Sequence, residues 1–381
     1  MSDIELKESK TLTSEGCRLR QKRLIAVLEQ AGADHAILTR SEHVQYLTGF
    51  RPHHLMLAAI VLDTNGHCLL VAPNVIPNGV SADTVVTYEA QWHATLRQDQ
   101  HLEIARVLSE ALMQTGGKGK CVAVESSRFG PHLQLKECIG KSKTVVDIEK
   151  QLWQMRRRKD PDELQMIRRA VDCTHAMYQR AREIIEPGVS ELEVFSQLQT
   201  AAVEIACEPL TGTGNDYRCG SPGGPPRSRL IESGELYILD LGPAYRGYYA
   251  DNCRTFAVNQ RPTDAQQRAW DQIVKVLEMV SRRVRPGVRC RDVFQEAQSM
   301  LDEYLPGGFS HHLGHGIGLF PHEGPHLNPN TGWNDTFEEG DVFTAEPGLY
   351  TPELRAGIRL EENYLVTSDG VEQLTRFPLD L

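Results

Sequence analysis

The sequence predicts an α+β protein of two domains, a smaller α/β domain over residues 1–155 and an α+β domain over residues 156–381. Three observations lead to this fold class. The 381 residues exceed what one ordinary hydrophobic core organises. Strand and helix patterns mingle in the first part of the chain. In the second part, long helical patterns stand apart from the strand patterns, which is typical of α+β domains.

Short apolar runs between turn signals predict the strands of the first domain. Leu24, Ile25 and Leu28 lie at helical spacing before Gly32, which can end that helix. The turn sequence Thr-Asn-Gly at residues 64–66 stands between two apolar runs and predicts a β-hairpin. The predicted strands are residues 35–39, 58–62, 68–72, 85–88 and 121–125.

Four helices are predicted in the second domain, and capping residues mark the first three of them. Asp160 and Pro161 supply an N-cap and a first-turn proline to a helix that runs toward residue 185. The patterns S-x-x-E at residue 190 and T-x-x-Q at residue 263 are capping boxes for the next two helices. These helices reach about residues 206 and 284, a fourth covers residues 292–304, and strands are predicted at 236–240, 254–258, 341–346 and 362–367.

Composition and charge disfavour two classes of partner. A net charge of −10 argues against a nucleic-acid surface, because affinity for phosphates depends on Lys and Arg. The strongest basic run, residues 156–159, is short and is interpreted as a solvated helix face. No apolar run has the length of a membrane helix, so we expect neither nucleic acid nor membrane as a partner.

The cysteines and the start of the chain predict a cytoplasmic protein. The nine cysteines are scattered, odd in number and without a C-x-x-C pair, which suits free thiols in a reducing compartment. The first ten residues, MSDIELKESK, are polar and lack the apolar segment of a signal peptide.

Four acidic residues adjoin apolar strand patterns in the second domain. Asp240 and Asp251 lie on what the pattern predicts to be neighbouring strands, and Glu346 and Glu361 repeat the arrangement nearer the C-terminus. A carboxylate against an apolar strand must be paired or bound to a cation, because its desolvation is otherwise costly. Taken singly, each acid is more simply a turn-capping residue. Taken together, the four would repel one another unless cations lay between them.

A histidine-rich segment accompanies these acids. Residues 311–325 read HHLGHGIGLFPHEGP and hold four of the fourteen histidines of the chain. Four carboxylates and one imidazole suit Mn²⁺, or Fe²⁺, Co²⁺ and Zn²⁺ under less selective conditions. Residues 322–326 also match the H-E-x-x-H pattern of zinc proteases, but that motif works on a helix, and Gly324-Pro325 disfavours a helix here.

Five motifs, in order, resemble the pita-bread metallopeptidases, which include methionine aminopeptidase, Xaa-Pro aminopeptidase and Xaa-Pro dipeptidase (prolidase). The motifs are ILDLG, YADNCRTF, HHLGHGIGL, AEPGLY and GIRLEEN. YLTGF at residues 46–50 and RRRKDPDELQMIRRA at 156–170 are similar to segments of the creatinase/prolidase branch, which carries an extra N-terminal domain. The resemblance covers nearly the whole chain and implies a creatinase-type N-terminal domain followed by a pita-bread catalytic domain.

The resemblance also implies a role for each site residue. Two divalent metal ions, most readily Mn²⁺, would be held by Asp240, Asp251, His315, Glu346 and Glu361. Glu346 would also take a proton from the attacking water. His322 would contact the substrate carbonyl, His311 would lie near the proline of the substrate, and Arg359 would fix a ligand carboxylate. His312 and His326 are interpreted instead as histidines of a surface loop.

The activity implied by the resemblance is that of a dinuclear-metal exopeptidase that cleaves the Xaa-Pro bond through a metal-bridging hydroxide. The substrate would be a short peptide with proline at its second position. Dipeptidase and aminopeptidase activity both fit the sequence, with the compact N-terminal domain leaning toward the dipeptidase. The family further implies a homodimer, with the N-terminal domain near the cleft of the partner.

One departure from the family stands out. The peptidases carry a further histidine about seventeen residues before the first metal aspartate, and the chain has Gly223 there, with no histidine between His175 and His311. Tyr217, Arg218, or His53 or His54 of a second subunit are candidates to replace it. Two alternatives also follow: the same metal scaffold acting on a non-peptide small substrate, or a peptide-binding regulatory protein without turnover.

Overall fold

The computed structural model of the chain describes residues 11–114, 120–127, 144–214, 216–259, 261–330, 332 and 334–380. Contacts divide the chain into two units, Met1–Arg156 and Arg157–Leu381. Within the described residues, no helix is both long enough and apolar enough to cross a membrane.

The apolar runs of the first unit form a six-stranded mixed sheet in the order β4-β3-β2-β1-β7-β8. The predicted hairpin is confirmed, since β2 and β3 pair antiparallel and Gly66 adopts a φ of 92° in the turn between them. The strands are β1 His35–Leu38, β2 Ala59–Asp63, β3 Cys68–Pro73, β4 Thr84–Tyr88, β7 Cys121–Val124 and β8 Thr144–Asp147, with a separate ribbon of β5 Gln91–Trp92 and β6 Thr95–Leu96.

Local capping explains where the first helix begins and ends. The Thr13 side chain accepts a hydrogen bond from the Gly16 backbone, and Gly32 ends the helix in the left-handed conformation with a φ of 64°. Three further helices, α2 to α4, were not predicted from the sequence. The helices are α1 Ser14–Ala31, α2 Ser41–Thr48, α3 Gln100–Gln114 and α4 Glu149–Arg157. Apolar residues of α3, such as Leu108, pack with Ile37 and Val71 of the sheet.

The four predicted helices of the second unit are confirmed within a few residues at their ends. Glu163 accepts a hydrogen bond from the Asp160 backbone at 3.0 Å, and Thr263 and Gln266 cap each other reciprocally. The helices are α5 Pro161–Ile184, α6 Glu191–Ala206, α7 Asp264–Arg283 and α8 Cys290–Tyr304, and a short 3₁₀ turn covers Pro352–Leu354. Apolar residues of α7 and α8 pack with Phe343 and Ile358 in one core.

Several small antiparallel sheets complete the second unit, in the orders β10-β11-β14, β13-β12-β9, β16-β15-β17-β20-β21 and β18-β19. The first group of strands is β9 Gly212–Thr213, β10 Asp216–Cys219, β11 Leu236–Leu241, β12 Pro243–Tyr245, β13 Tyr248–Tyr249 and β14 Asn252–Ala257. The second group is β15 Gly314–Gly316, β16 Glu323–Leu327, β17 Val342–Ala345, β18 Gly348–Leu349, β19 Ile358–Arg359, β20 Glu362–Val366 and β21 Val371–Gln373. Because Glu323–Leu327 is a strand, the H-E-x-x-H pattern lacks the helix that a zinc protease requires.

Candidate metal centre

Two pairs of adjacent strands bring the four acids of the second unit together. Asp240 lies on β11, and Asp251 immediately precedes β14, which pairs antiparallel with β11. Glu346 immediately follows β17 and Glu361 immediately precedes β20, which pairs antiparallel with β17. The Glu361 backbone donates a hydrogen bond to the Cys253 carbonyl at 3.0 Å, so the ends of the two sheets meet at the acids.

Two glycines allow the histidine strand to approach this point. A side chain at Gly314 would overlap the carbonyl oxygen of Thr344 on β17, and one at Gly316 would overlap that of Gly324. The glycines therefore let the backbone of β15 lie against its neighbours at a distance that no other residue permits. His315 stands between them, so the close packing fixes the position of its imidazole.

The structure brings all five residues predicted as metal ligands into one cluster. Ligand atoms of Asp240, Asp251 and Glu361 lie within 4.8 Å of one another, and so do those of His315, Glu346 and Glu361. His315 Nε2 is 3.7 Å from Asp251 Oδ2 and 3.5 Å from Glu346 Oε1. His315 Nδ1 lies 3.1 Å from the Gly316 carbonyl, an acceptor for its N–H, which leaves the lone pair of Nε2 facing the acids.

Several buried atoms of the cluster lack hydrogen-bond partners among the described residues. They are Asp240 Oδ1, Glu346 Oε1 and both carboxylate oxygens of Glu361. Glu361 is 1% exposed and Glu346 is 8% exposed, so water does not solvate these oxygens freely. A buried carboxylate oxygen without a donor is costly, and a cation relieves that cost. The donor set, four carboxylates and one imidazole, fits one or more divalent metal ions.

The shifted pKa values of the cluster also indicate that it suits a bound divalent cation. Burial raises the pKa of Asp251 and that of Glu361 well above the ordinary range, and the neighbouring carboxylates raise both further. Burial raises the pKa of Glu346 from its ordinary value of 4.5 to about 8, with Asp240 adding to the effect. Burial lowers the pKa of His315 well below its ordinary value. The metal-free cluster therefore retains protons near neutral pH, and a bound divalent cation would displace them.

Arg359 orients one of the acids. Its Nη2 lies 2.8 Å from Asp240 Oδ2 and also contacts the Asp216 carboxylate, and its Nη1 donates to the Tyr350 hydroxyl at 3.0 Å. Burial raises the pKa of Asp240, and the Arg359 guanidinium opposes that rise. The arrangement matches the predicted position of Arg359 beside a ligand carboxylate.

His311 is connected to the same network. Its Nε2 lies 3.0 Å from the Tyr350 hydroxyl, which in turn accepts a hydrogen bond from Arg359. Burial lowers the pKa of His311 to about 4, so its imidazole is neutral at physiological pH. His322 lies on the other side of the cluster and stacks on His315, with ring centroids 3.8 Å apart and an interplanar angle of 15°.

A buried arginine that the sequence did not single out holds β20 beside β14. Arg254 Nη1 donates to the Glu361 carbonyl at 2.7 Å, and its Nη2 donates to Glu362 at 2.6 Å and to the Phe377 carbonyl at 2.8 Å. Arg254 and Glu362 form an ion pair in which each side chain is 1% exposed. The pair fixes the backbone of Glu361, and only its place in the motif YADNCRTF could have drawn attention to it.

The cluster opens into a polar cavity of about 290 Å³. Its lining includes two residues that the sequence did not assign to the site, Asp216 and His312. The lining residues are Asp216, Asp240, Asp251, His311, His312, His315, His322, Glu346 and Arg359. A cavity with this many charged and imidazole groups suits a small polar substrate.

His312 lies in a loop, as predicted, but its side chain lines the cavity, so its interpretation as a residue outside the site is wrong. His312 Nδ1 lies 3.3 Å from Glu346 Oε1, and burial lowers the pKa of the imidazole to about 4. His326 lies on strand β16 and not in a loop, and its Nδ1 is 2.9 Å from Asp335 Oδ2. The spacing of His312 could not reveal its direction, because the segment before β15 has no regular period.

Comparisons with known proteins agree with the geometry. The signature described as Metallopeptidase family M24 matches residues 165–368, and that described as Creatinase/Prolidase N-terminal domain matches residues 20–158. A curated Xaa-Pro dipeptidase of Pyrococcus horikoshii is 26% identical over 371 residues, which are 94% of this chain and 97% of that protein.

Solved structures show the same fold. A prolidase from Pyrococcus horikoshii OT3 superimposes with a TM-score of 0.80 at 24% identity, covering 95% of this chain and 99% of that one. An X-Pro aminopeptidase from Thermotoga maritima MSB8 gives a TM-score of 0.79 at 23% identity, covering 95% and 98%. The predicted architecture, a creatinase-type N-terminal domain followed by a pita-bread domain, is confirmed.

Proposed function

Because this chain belongs to metallopeptidase family M24, we propose that it is a metal-dependent exopeptidase that hydrolyses the bond before proline. The observation that carries the proposal is the cluster of four acids and His315, with carboxylate oxygens that lack partners among the described residues. Relatives described as Xaa-Pro dipeptidase and X-Pro aminopeptidase support the specificity for proline. The preferred substrate is an Xaa-Pro dipeptide, and the second choice is a longer peptide with proline at position two.

Asp240, Asp251, His315, Glu346 and Glu361 would hold two divalent metal ions. Mn²⁺ is our first choice, because the ligands are mostly oxygens, and Co²⁺, Zn²⁺ and Fe²⁺ are alternatives. When bound, these ions would activate a water molecule and polarise the carbonyl of the scissile bond. Arg359 keeps the Asp240 carboxylate in place through the 2.8 Å contact between Nη2 and Oδ2.

Three residues of the chain would transfer the proton and position the substrate. Glu346 takes the proton of the attacking water on one carboxylate oxygen and passes it to the proline nitrogen as the bond breaks. Its place in the lining of the cavity, next to His315, supports this role because the substrate and the attacking water would bind there. His322, exposed at the cavity and stacked on His315, contacts the substrate carbonyl. His311, held by Tyr350, lies on the side of the proline.

We further propose a cytoplasmic homodimer. The eight cysteines within the described residues, Cys17, Cys68, Cys121, Cys173, Cys207, Cys219, Cys253 and Cys290, are free thiols, which suits a reducing compartment. The dimer rests on the family resemblance alone.

One observation favours a different function. Gly223 stands where the related peptidases carry a histidine, so the scaffold could act on a non-peptide substrate or bind peptides without turnover. Product analysis distinguishes these alternatives from the peptidase, because only the peptidase releases free proline.

The experiment is product analysis on a small panel of peptides with metal-reconstituted protein. Ala-Pro, Ala-Ala and the tetrapeptide Ala-Pro-Ala-Ala are incubated with the full chain, and free amino acids are quantified. The proposal predicts alanine and proline from Ala-Pro, with slower or no cleavage of Ala-Ala. Cleavage of Ala-Ala as fast as Ala-Pro would contradict the proline specificity. Binding of these peptides without cleavage would favour the regulatory protein.

A further inference from the structure

The cleft has an unexpected feature at the position of the absent histidine. Gly223 takes that place, and a side chain there would collide with the carboxylate of Asp216. The Gly224 backbone donates to Asp216 Oδ1 at 2.5 Å, and Arg359 contacts Asp216 Oδ2. The Asp216 carboxylate therefore fills the position, where it accepts hydrogen bonds from the Gly224 backbone and Arg359.

The neighbouring candidates on β10 are engaged elsewhere. Tyr217 is 1% exposed, and its hydroxyl contacts the Thr213 carbonyl and the Gln199 amide. Arg218 Nε donates to the Pro225 carbonyl at 2.8 Å. Neither residue belongs to the described lining of the cavity, so neither supplies a donor to a substrate there.

Among the described cavity residues that can donate a hydrogen bond, His312 is the one that the proposed mechanism does not yet use. Its ring lies edge-on to two site histidines, with centroids 5.5 Å from His315 and 5.9 Å from His322. The three imidazoles thus form one wall beside Glu346. The side chain is 34% exposed, which allows a substrate to reach it.

The environment of the two ring nitrogens indicates which one faces the substrate. Nδ1 is buried and, although 3.3 Å from Glu346 Oε1, makes no hydrogen bond within the described residues. If Glu346 Oε1 is committed to a metal ion, Nδ1 has no acceptor for a proton. The tautomer with its proton on Nε2 then presents a hydrogen-bond donor to the cavity that His312 lines.

We infer that His312 replaces the absent histidine as a catalytic residue, donating a hydrogen bond from Nε2 to the scissile carbonyl oxygen as that carbon becomes tetrahedral. The inference rests on the proposed peptidase function. The step transfers no proton: His312 donates a hydrogen bond that strengthens as negative charge develops on the oxygen. His312 lies in the segment before β15, whereas the histidine that it would replace belongs to the loop before β11, where this chain has Gly223.

Steady-state kinetics of three variants test this role. His312→Ala should lower kcat for Ala-Pro by about 100-fold with little change in KM, as expected on removal of a donor to a developing oxyanion. His312→Gln keeps an N–H donor and should retain part of the activity. His326→Ala is the matched control, since His326 lies outside the cavity lining and pairs with Asp335. It should resemble wild type.

A binding measurement separates this inference from the proposed function. The probe is a phosphinic analogue of Ala-Pro, in which tetrahedral phosphorus replaces the scissile carbonyl carbon, titrated calorimetrically into Mn²⁺-loaded protein. His312→Ala should bind the analogue about 100-fold more weakly while binding L-proline as wild type does. Equal affinity for the analogue, unchanged kcat or loss of metal by His312→Ala would each overturn the inference. If wild type cleaves no Xaa-Pro peptide, the proposed function fails and the inference fails with it, whereas normal cleavage by His312→Ala overturns the inference alone.

Discussion

At the scale of the residue, the buried acids of the cluster destabilise the metal-free protein. The same acids would bind the metal ions that the proposed function requires. Asp251, Glu346 and Glu361 are buried, and in the metal-free protein burial and mutual repulsion raise the pKa of each carboxyl. A protein gains nothing in stability from this arrangement unless a cation binds there. Two residue-scale predictions follow from this balance, one for a substitution and one for pH.

Asp251→Asn should abolish the stabilisation by metal. Mn²⁺ at about 100 times its Kd should stabilise the wild type by about 3 kcal/mol. The variant should lack that gain and lose turnover, because a ligand is missing. Without metal, the variant should be at least as stable as wild type at pH 8, because one repelling charge is gone. Thermal unfolding with Mn²⁺ and with chelator measures both effects.

Asp271 on α7, which is half-buried and lies outside the cavity lining, provides the control for that substitution, and Asp271→Asn should behave as wild type in both conditions. A normal metal-induced rise in the Tm of Asp251→Asn would show that Asp251 is not a ligand.

The stability of the metal-free protein should fall as pH rises from about 7 to 8, above the range in which the lowered pKa values of His311 and His312 act in the opposite direction. Glu346 has a pKa of about 8 when folded against 4.5 ordinarily, so in this range the folded chain binds more protons than the unfolded chain. Stability then decreases with pH, and the contribution is lost as pH passes through the folded pKa. With Mn²⁺ bound, the carboxylates stay ionised and the slope should flatten. The prediction is tested by measuring Tm across this pH range with and without Mn²⁺. Identical slopes of Tm against pH in the two conditions would refute it.

At the scale of the element, strand packing determines where the ligands stand. Part of this was predictable: the acids adjoining apolar strands placed Asp240 on β11 and Glu346 at the end of β17, one residue beyond the strand. Asp216 and His312 were missed, because their place in the cavity depends on contacts between segments far apart in sequence. Local periodicity carries no information about such contacts.

The packing of β15 against β17 gives an element-scale prediction. Gly314→Ala should destabilise the protein by about 1–3 kcal/mol, because the added methyl group overlaps the Thr344 carbonyl and the strands must separate. It should also weaken metal binding by displacing His315. Gly370→Ala, where the methyl group meets open space, should change the free energy of unfolding by about 0.5 kcal/mol at most. Urea unfolding and metal analysis compare the two; equal stability would contradict the packing argument.

At the scale of the whole molecule, the order of motifs predicted more than any single motif. The five motifs lie on four separate sheets and reach one cavity only in the folded second unit. In the first unit, sequence patterns predicted the hairpin at Gly66 but did not predict the helices α2, α3 and α4. Those three helices lack the capping-box patterns that precede α5, α6 and α7, although α2 ends at Gly49 in the left-handed conformation.

The central claim is that this cluster of acids makes the chain a metal-dependent, proline-specific peptidase. The most direct test is the release of proline from Ala-Pro by the full chain, measured with added Mn²⁺, after chelation, and after Mn²⁺ is restored. We expect release with the metal, none after chelation, and recovery when Mn²⁺ returns. Release that persists after chelation, or no release by protein shown to hold its metal, would contradict the claim.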